Sequence, residues 1–160
     1  MVTFYTVFVI ELASRRVQIL GSTPRPDEVF MEQITRNLTV ADAGGCRALI
    51  CDRDAKWSAS VRARLRDAWV CVVRTPYRAP NANAYAEQFV RSIKEECLNR
   101  LIRLGERDHR RAVAEFVAHY HRERNHQRLG NELIEGEPAN GRVGRMRRHQ
   151  RLGGLLNYYA

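Results

Sequence analysis

Pro76 and Pro80 bar the stretch TPYRAPNANAYAEQFVRSIKEECLNR, residues 75–100, from forming helix before Asn81, because proline clashes with the preceding turn and carries no N–H. Beyond them Asn81 or Asn83 is a helix cap, a side-chain oxygen for the first free backbone N–H groups. From there Ala86, Val90, Ile93, Cys97 and Leu101 recur at spacings of three and four, the stripe of an amphipathic helix. At about 100° per residue from Ala86, Glu87 falls at about 100°, Arg91 at about 140° and Lys94 at about 80°. One carboxylate thus shares a face with two cations in the first turns, where the helix dipole favours negative charge. Such a trio is ordinarily only a solvated face, so a functional reading needs a second acid.

The second acid follows a strand. In ALICDRDAKW the apolar run Ala48–Cys51 ends abruptly at Asp52, Arg53 and Asp54, as a buried strand does when its carboxyl end opens onto a site. Residues 3–11, rich in aromatic and β-branched side chains, are expected to form a strand with residues 16–21 as its hairpin partner. A helix is expected after Thr23 to Asp27, with Val29, Phe30, Ile34 and Leu38 inward, ending at Gly44 and Gly45. Ser58 is positioned to cap a short helix with Val61, Leu65 and Ala68 inward, and residues 69–73 follow as a strand. After a break at Gly105, residues 110–120 set Val113, Phe116, Val117 and Tyr120 on one helix face. Strands alternating with helices imply an α/β domain, and 160 residues suffice for one ordinary domain.

Four of these segments, in order, resemble the integrase core domain of bacterial insertion-sequence DDE transposases. VFVIELASRRV is similar to the second strand and turn of that core, and LICDRDAKW to its second catalytic acid motif. PNANAYAEQFVRSIKEE resembles its Asn-Ala-x-x-Glu helix, and HYHRERNHQRLG its closing segment, which places Arg124 and His126 where the domain closes. The acids stand 87 − 52 = 35 positions apart. The resemblance implies a ribonuclease H-like mixed sheet flanked by helices, with Asp52 and Glu87 as catalytic acids holding Mg²⁺ or Mn²⁺. It also implies that Asn83 shapes the helix start; Lys56, Arg78, Asn83, Arg91 and Lys94 are the residues expected to contact DNA, the two lysines because they stand beside the acid motifs. Asp54 stands where many relatives carry glycine, leaving open which of Asp52 and Asp54 faces the metal.

The first acid of the triad, on the central first strand of that fold, has no counterpart here. Glu11 matches a non-catalytic position. The expected organisation is a catalytic core over residues 1–135, truncated at its N-terminus, and a basic tail over residues 136–160. With the central strand missing, residues 3–11 and Ala48–Cys51 must pair directly, accept a strand from a second copy, or leave the sheet split while the helical half, residues 83–122, holds. The implied function is DNA transposition and integration by metal-dependent phosphoryl transfer on transposon ends and target, inactive in the isolated chain. The alternative is a catalytically dead DNA-binding or interfering remnant, and the implied partners are DNA, a second copy or the missing N-terminal segment.

Charge agrees with a polyanionic partner: 27 basic against 18 acidic residues give a net +9. Its two lysines, Lys56 and Lys94, stand beside the two acid motifs. A generic RNA-binding protein would account for the charge but not for the acid pair. Residues 141–151 carry five arginines and no acid, a phosphate-binding tail or a disordered end. Cys46, Cys51, Cys71 and Cys97 make no Cys-x-x-Cys motif and read as reduced core residues rather than zinc ligands. His119, His121 and His126 have helical spacing but no evident acid or cysteine to complete a ligand set. Without a membrane-length apolar run or a leader, the expectation is a soluble cytoplasmic protein.

Overall fold

The computed structural model describes residues 2–41, 48–77, 80–102, 105–126, 130, 132–136 and 147–159. It is a mixed α/β chain in two compact units, Met1–Phe8 with Ile19–Ala86, and Val9–Gln18 with Glu87–Ala160. Its strands form three two-stranded sheets rather than one mixed sheet among the described residues.

The first unit is built on β1 (Tyr5–Ile10), β2 (Val17–Thr23), α1 (Glu28–Ala41), β3 (Ala48–Cys51), α2 (Ala59–Asp67) and β4 (Cys71–Arg74). Its share of the β1 and β2 hairpin is Tyr5 to Phe8 and Ile19 to Thr23, where the Thr6 and Ser22 hydroxyls meet at 2.9 Å. α1 begins where Asp27 Oδ1 accepts the Phe30 N–H at 2.8 Å, a cap that satisfies an otherwise orphan donor. Its inward stripe is Met31, Ile34, Thr35 and Leu38. Val29, expected inward, is 75% exposed, because the stripe is centred one position further along. Gly21 of β2 lets α1 lie close: a Cβ there would stand 2.8 Å from Ile34 Cδ1. Asn37 Nδ2 donates to the Leu20 carbonyl at 2.9 Å across the same contact.

α2 starts as the sequence suggests, with Ser58 Oγ accepting the Val61 N–H at 3.3 Å and Val61 and Leu65 buried. Ala68 is exposed as the C-cap, and Trp69 is 92% exposed with φ +62°, so the following strand starts at Cys71 rather than residue 69. Arg64 pairs with Glu32 at 2.7 Å and Ser60 donates to Glu28 at 2.6 Å, tying α2 to α1. α2 is also the crossover that makes β3 and β4 parallel, in the register Ala48 with Cys71, Leu49 with Val72, Ile50 with Val73 and Cys51 with Arg74. β1 and β3 do not pair with each other, so the direct pairing of these two strands is not what this chain adopts. Cys71 is exposed, not core; Cys51 and Cys97 are buried, and Cys46, Gly44 and Gly45 lie outside the described residues.

The second unit centres on α3 (Ala84–Glu96, from Glu87 onward) and α4 (Glu106–Arg122). Phe89, Ile93 and Cys97 are buried against Ala112, Val113, Phe116 and Tyr120. The Phe89 ring meets Tyr120 edge-on at 5.2 Å and Phe116 at 6.1 Å, the tilted geometries that aromatic quadrupoles prefer. The buried face of α3 therefore runs through Phe89, Ser92 and Ile93; Ala86 and Val90 only flank it, and Leu101 lies beyond the helix end. Arg124 pairs with Glu96 at 2.8 Å, and the His126 N–H group at Nε2 donates to the Tyr120 carbonyl at 2.8 Å, closing the end of α4 onto α3. β5 (Arg148–Arg151) and β6 (Leu156–Tyr159) form an antiparallel hairpin in the same unit. Among the described residues no helix is long and apolar enough to cross a membrane.

Candidate active site

Asp52 follows directly on the buried Cys51 at the carboxyl end of β3 and is exposed. Its Oδ1 accepts the Asp54 N–H at 3.2 Å, which turns the chain sharply after the strand. Arg53 fastens this turn to the exit of β4: its Nε donates to the Thr75 carbonyl at 3.0 Å and its guanidinium lies 4.0 Å from the centre of the Tyr77 ring. The Thr75 N–H in turn donates to the Cys51 carbonyl at 3.0 Å.

Asp54 and Lys56 satisfy each other. Lys56 Nζ reaches Asp54 Oδ2 at 2.6 Å and the Lys56 N–H donates to Oδ1 at 2.9 Å. These bonds hold the Asp54 carboxyl below its ordinary range. Both Asp54 oxygens are thereby engaged, whereas Asp52 commits one oxygen to a single backbone donor among the described residues. Lys56 also sits 5.4 Å from the Tyr5 ring centre, so it is held by its own motif and would have to leave Asp54 to reach a phosphate.

The loop before α3 differs from the sequence expectation in a useful way. Pro80 opens a tight 3-10 turn, Pro80–Asn83, instead of holding the chain extended to Asn81; its fixed φ suits a first helical position. Asn83 ends that turn half-buried, and Glu87 lies exposed in the first turn of α3, with Arg91 and Lys94 exposed further along. Asp52, Lys56 and Asn83 belong to the first unit; Glu87, Arg91 and Lys94 belong to the second. Arg78 lies outside the described residues.

The donors fit a hard divalent ion in kind: carboxylate oxygens, exposed, on a strand end and a helix start. In number they are few, since no described residues form a group of three or more potential ligands.

The three histidines each have another occupation. His119 Nδ1 is 3.0 Å from Glu123, a pair of i and i+4 residues that the sequence contained and that the spacing of histidines alone obscures. His126 bonds the Tyr120 carbonyl. His121 Nε2 accepts the Val17 N–H at 2.9 Å, so this nitrogen must be unprotonated, and Nδ1 faces Glu135 at 3.5 Å. Burial pushes His121 below its ordinary value of 6.5, against the pull of Glu135 and helped by Arg16, Arg122 and His126. Burial likewise lowers His126. Groups with a depressed histidine pKa bind more protons unfolded than folded, so their stabilisation is complete above pH 6.5 and is lost as pH falls through the lower folded values. The urea midpoint of the full chain should therefore be flat above about pH 7 and fall below about pH 6.5. His121→Gln, which keeps an acceptor for Val17, should flatten part of that fall; an unchanged profile would remove His121 from the account.

The C-terminal arginines divide by role. Arg151 grips Glu123 through Nη2 at 2.6 Å and Nε at 2.9 Å, and reaches Glu115 through Nη1 at 2.7 Å. Glu123 is only 6% exposed; burial would raise its pKa, but the bonds from Arg151 and His119 bring it below the ordinary value. Arg151 is thus a structural anchor. Arg142 and Arg145 lie outside the described residues, while Arg147 and Arg148 are exposed.

Residues 70–132 match the family model of the integrase core domain, a segment that includes Asn83, Glu87, Arg91, Lys94, Arg124 and His126 but not Asp52. The match covers less than half of the chain, and over that stretch the sequence is similar to the integrase core. An integrase core implies transposase- or integrase-type function in DNA recombination, generally with divalent metals and with DNA as the partner. No curated protein matches the chain.

Proposed function

We propose that this chain, similar to the integrase core over residues 70–132, serves DNA transposition and integration, with Asp52 and Glu87 as the carboxylates that take Mg²⁺ or Mn²⁺. The observation that carries the reading is Glu87 itself, exposed in the first turn of α3 inside the matched segment, directly after the Pro80–Asn83 turn. Asp52 joins it on weaker ground, as the acid at the end of a parallel strand whose neighbour Asp54 is already held by Lys56. When bound, divalent ions activate the oxygen attacking a phosphodiester and stabilise the one that leaves. The protein's own part is to hold the carboxylates and to draw DNA phosphates toward them with Arg91 and Lys94, and with Lys56 once released from Asp54. The core takes the ribonuclease H-like fold, and the basic segment from residue 136 onward is accessory to it.

Two acids make an incomplete cage for the ion. This favours a chain that binds the ion weakly and, by itself, neither cleaves nor joins DNA, as a DNA-binding remnant would. Titration of Mn²⁺ against the full chain, followed by the free-ion resonance signal, tests the site. Asp52→Asn and Glu87→Gln should each weaken binding about tenfold through the lost ligand charge, and Asp54→Asn should leave it near wild type. Equal binding by wild type and Asp52→Asn would overturn the assignment. Strand-transfer products on oligonucleotides, lost in Glu87→Gln, would overturn the inactivity.

A further inference from the structure

The C-terminal hairpin has two unlike faces. Its register sets Arg148 opposite Tyr159 and Gln150 opposite Asn157 on one side, with His149 opposite Tyr158 and Arg151 opposite Leu156 on the other. The second side is turned inward: Leu156 is buried, and Arg151 is held by Glu115 and Glu123. His149 and Tyr158 stack at 5.0 Å along its edge. The first side therefore faces solvent.

That outer face has a distinctive chemistry. Arg148, Gln150 and Asn157 are exposed, and Tyr159 is 64% exposed. Arg148 Nε donates to Asn157 Oδ1 at 2.9 Å, which lays the guanidinium across the strands without neutralising it. Arg147 adds a second exposed cation at the start of the ribbon. From residue 138 to the C-terminus the sequence contains no acid at all. Arginine, glutamine, asparagine and tyrosine are among the side chains that donate hydrogen bonds to DNA phosphates. Gly153 and Gly154, both at positive φ, lie in the reversal between the two strands, and the Arg151 anchor to Glu115 fixes the ribbon to α4.

We propose that the outer face of this hairpin, Arg147 and Arg148 with Gln150, Asn157 and Tyr159, is a backbone-contacting site for duplex DNA, distinct in sequence and structure from the acid-bearing turns. It rests on the reading of the chain as a DNA-acting protein. The hairpin positions duplex through its phosphates and carries no base selectivity.

Fluorescence anisotropy of the full chain with a duplex of arbitrary sequence, titrated with salt, tests it. Arg147→Gln with Arg148→Gln should reduce the slope of log affinity against log salt by about 1.8, roughly 0.9 for each phosphate contact, with the thermal midpoint unchanged. Tyr159→Ala should weaken binding severalfold with little change of slope. Arg151→Gln should lower the thermal midpoint and leave the slope as it is below that midpoint. If the wild type binds duplex and the double variant keeps its slope, the hairpin assignment falls while the DNA reading stands. No duplex binding by the wild type, with Mn²⁺ still taken up at Asp52 and Glu87, would overturn both DNA statements and leave the metal assignment in place. A double variant that loses affinity for single-stranded RNA but not for duplex would also overturn the assignment.

Discussion

Phe116→Ala is expected to cost the second unit about 3–5 kcal/mol, the range for deleting a large aromatic side chain from a packed core. The ring is fully buried and touches Phe89 at 6.1 Å and Tyr120 at 6.0 Å, so its loss leaves a cavity and breaks an aromatic cluster that joins α3 to α4. Domains of ordinary stability hold only about 5–15 kcal/mol in total, and the change should remove a large part of the urea midpoint seen by far-ultraviolet circular dichroism. Val29→Ala is the matched control. Val29 has the helical spacing of a core residue, yet at 75% exposure its truncation should stay within about 0.5 kcal/mol. A loss below about 1 kcal/mol for Phe116→Ala would mean that α3 and α4 do not share a cooperative core.

The contrast between those two residues shows where sequence reading succeeds. Periodicity identifies a helix because spacings of three and four survive any choice of origin, but the origin itself decides which residues go inward. On α4 the apolar positions are dense, and Val113, Phe116 and Tyr120 were readable as core. On α3 the small residues Ala86 and Val90 define a second stripe beside the true one, and Phe89 is found only when volume is weighed as well as spacing. Cap chemistry was legible at Ser58, where one side chain serves one N–H group, while the like cap at Asp27 went unassigned within the stretch that starts α1. The C-terminal hairpin was not, because its strands are short and mostly polar; the Gly153 and Gly154 pair between them was the available signal. The order of acids was visible in the sequence, whereas the pairing of Asp54 with Lys56 appears only in the folded turn. Arg151 shows the same dependence: in the sequence it is one of five tail arginines, and only contact with Glu115 and Glu123 separates it from the others.

Hydrogen exchange should divide the chain most sharply, with the amides of residues 49–51 and 72–74 exchanging about a hundredfold or more faster than those of residues 113–120, relative to their intrinsic rates. β3 and β4 are four residues each and pair only with one another among the described residues, whereas a two-stranded unit is at best marginally stable without a covered face. Their register puts Ala48, Ile50, Cys71 and Val73 on one side, and all four are exposed, Ile50 at 41% and Val73 at 43%. Parallel strands are normally buried on both faces, so this pair is held chiefly by α2 on one side. Residues 113–120 are interior to α4, bonded along the helix and anchored through Val113, Phe116 and Tyr120. Opening β3 and β4 therefore exposes little new apolar surface, while opening α4 dismantles the aromatic core. Equal protection of the two segments in a monodisperse monomer would sink this account, because it would require the exposed face of β3 and β4 to be covered within one chain. Protection of β3 that rises with protein concentration would instead identify a second copy as what completes the sheet.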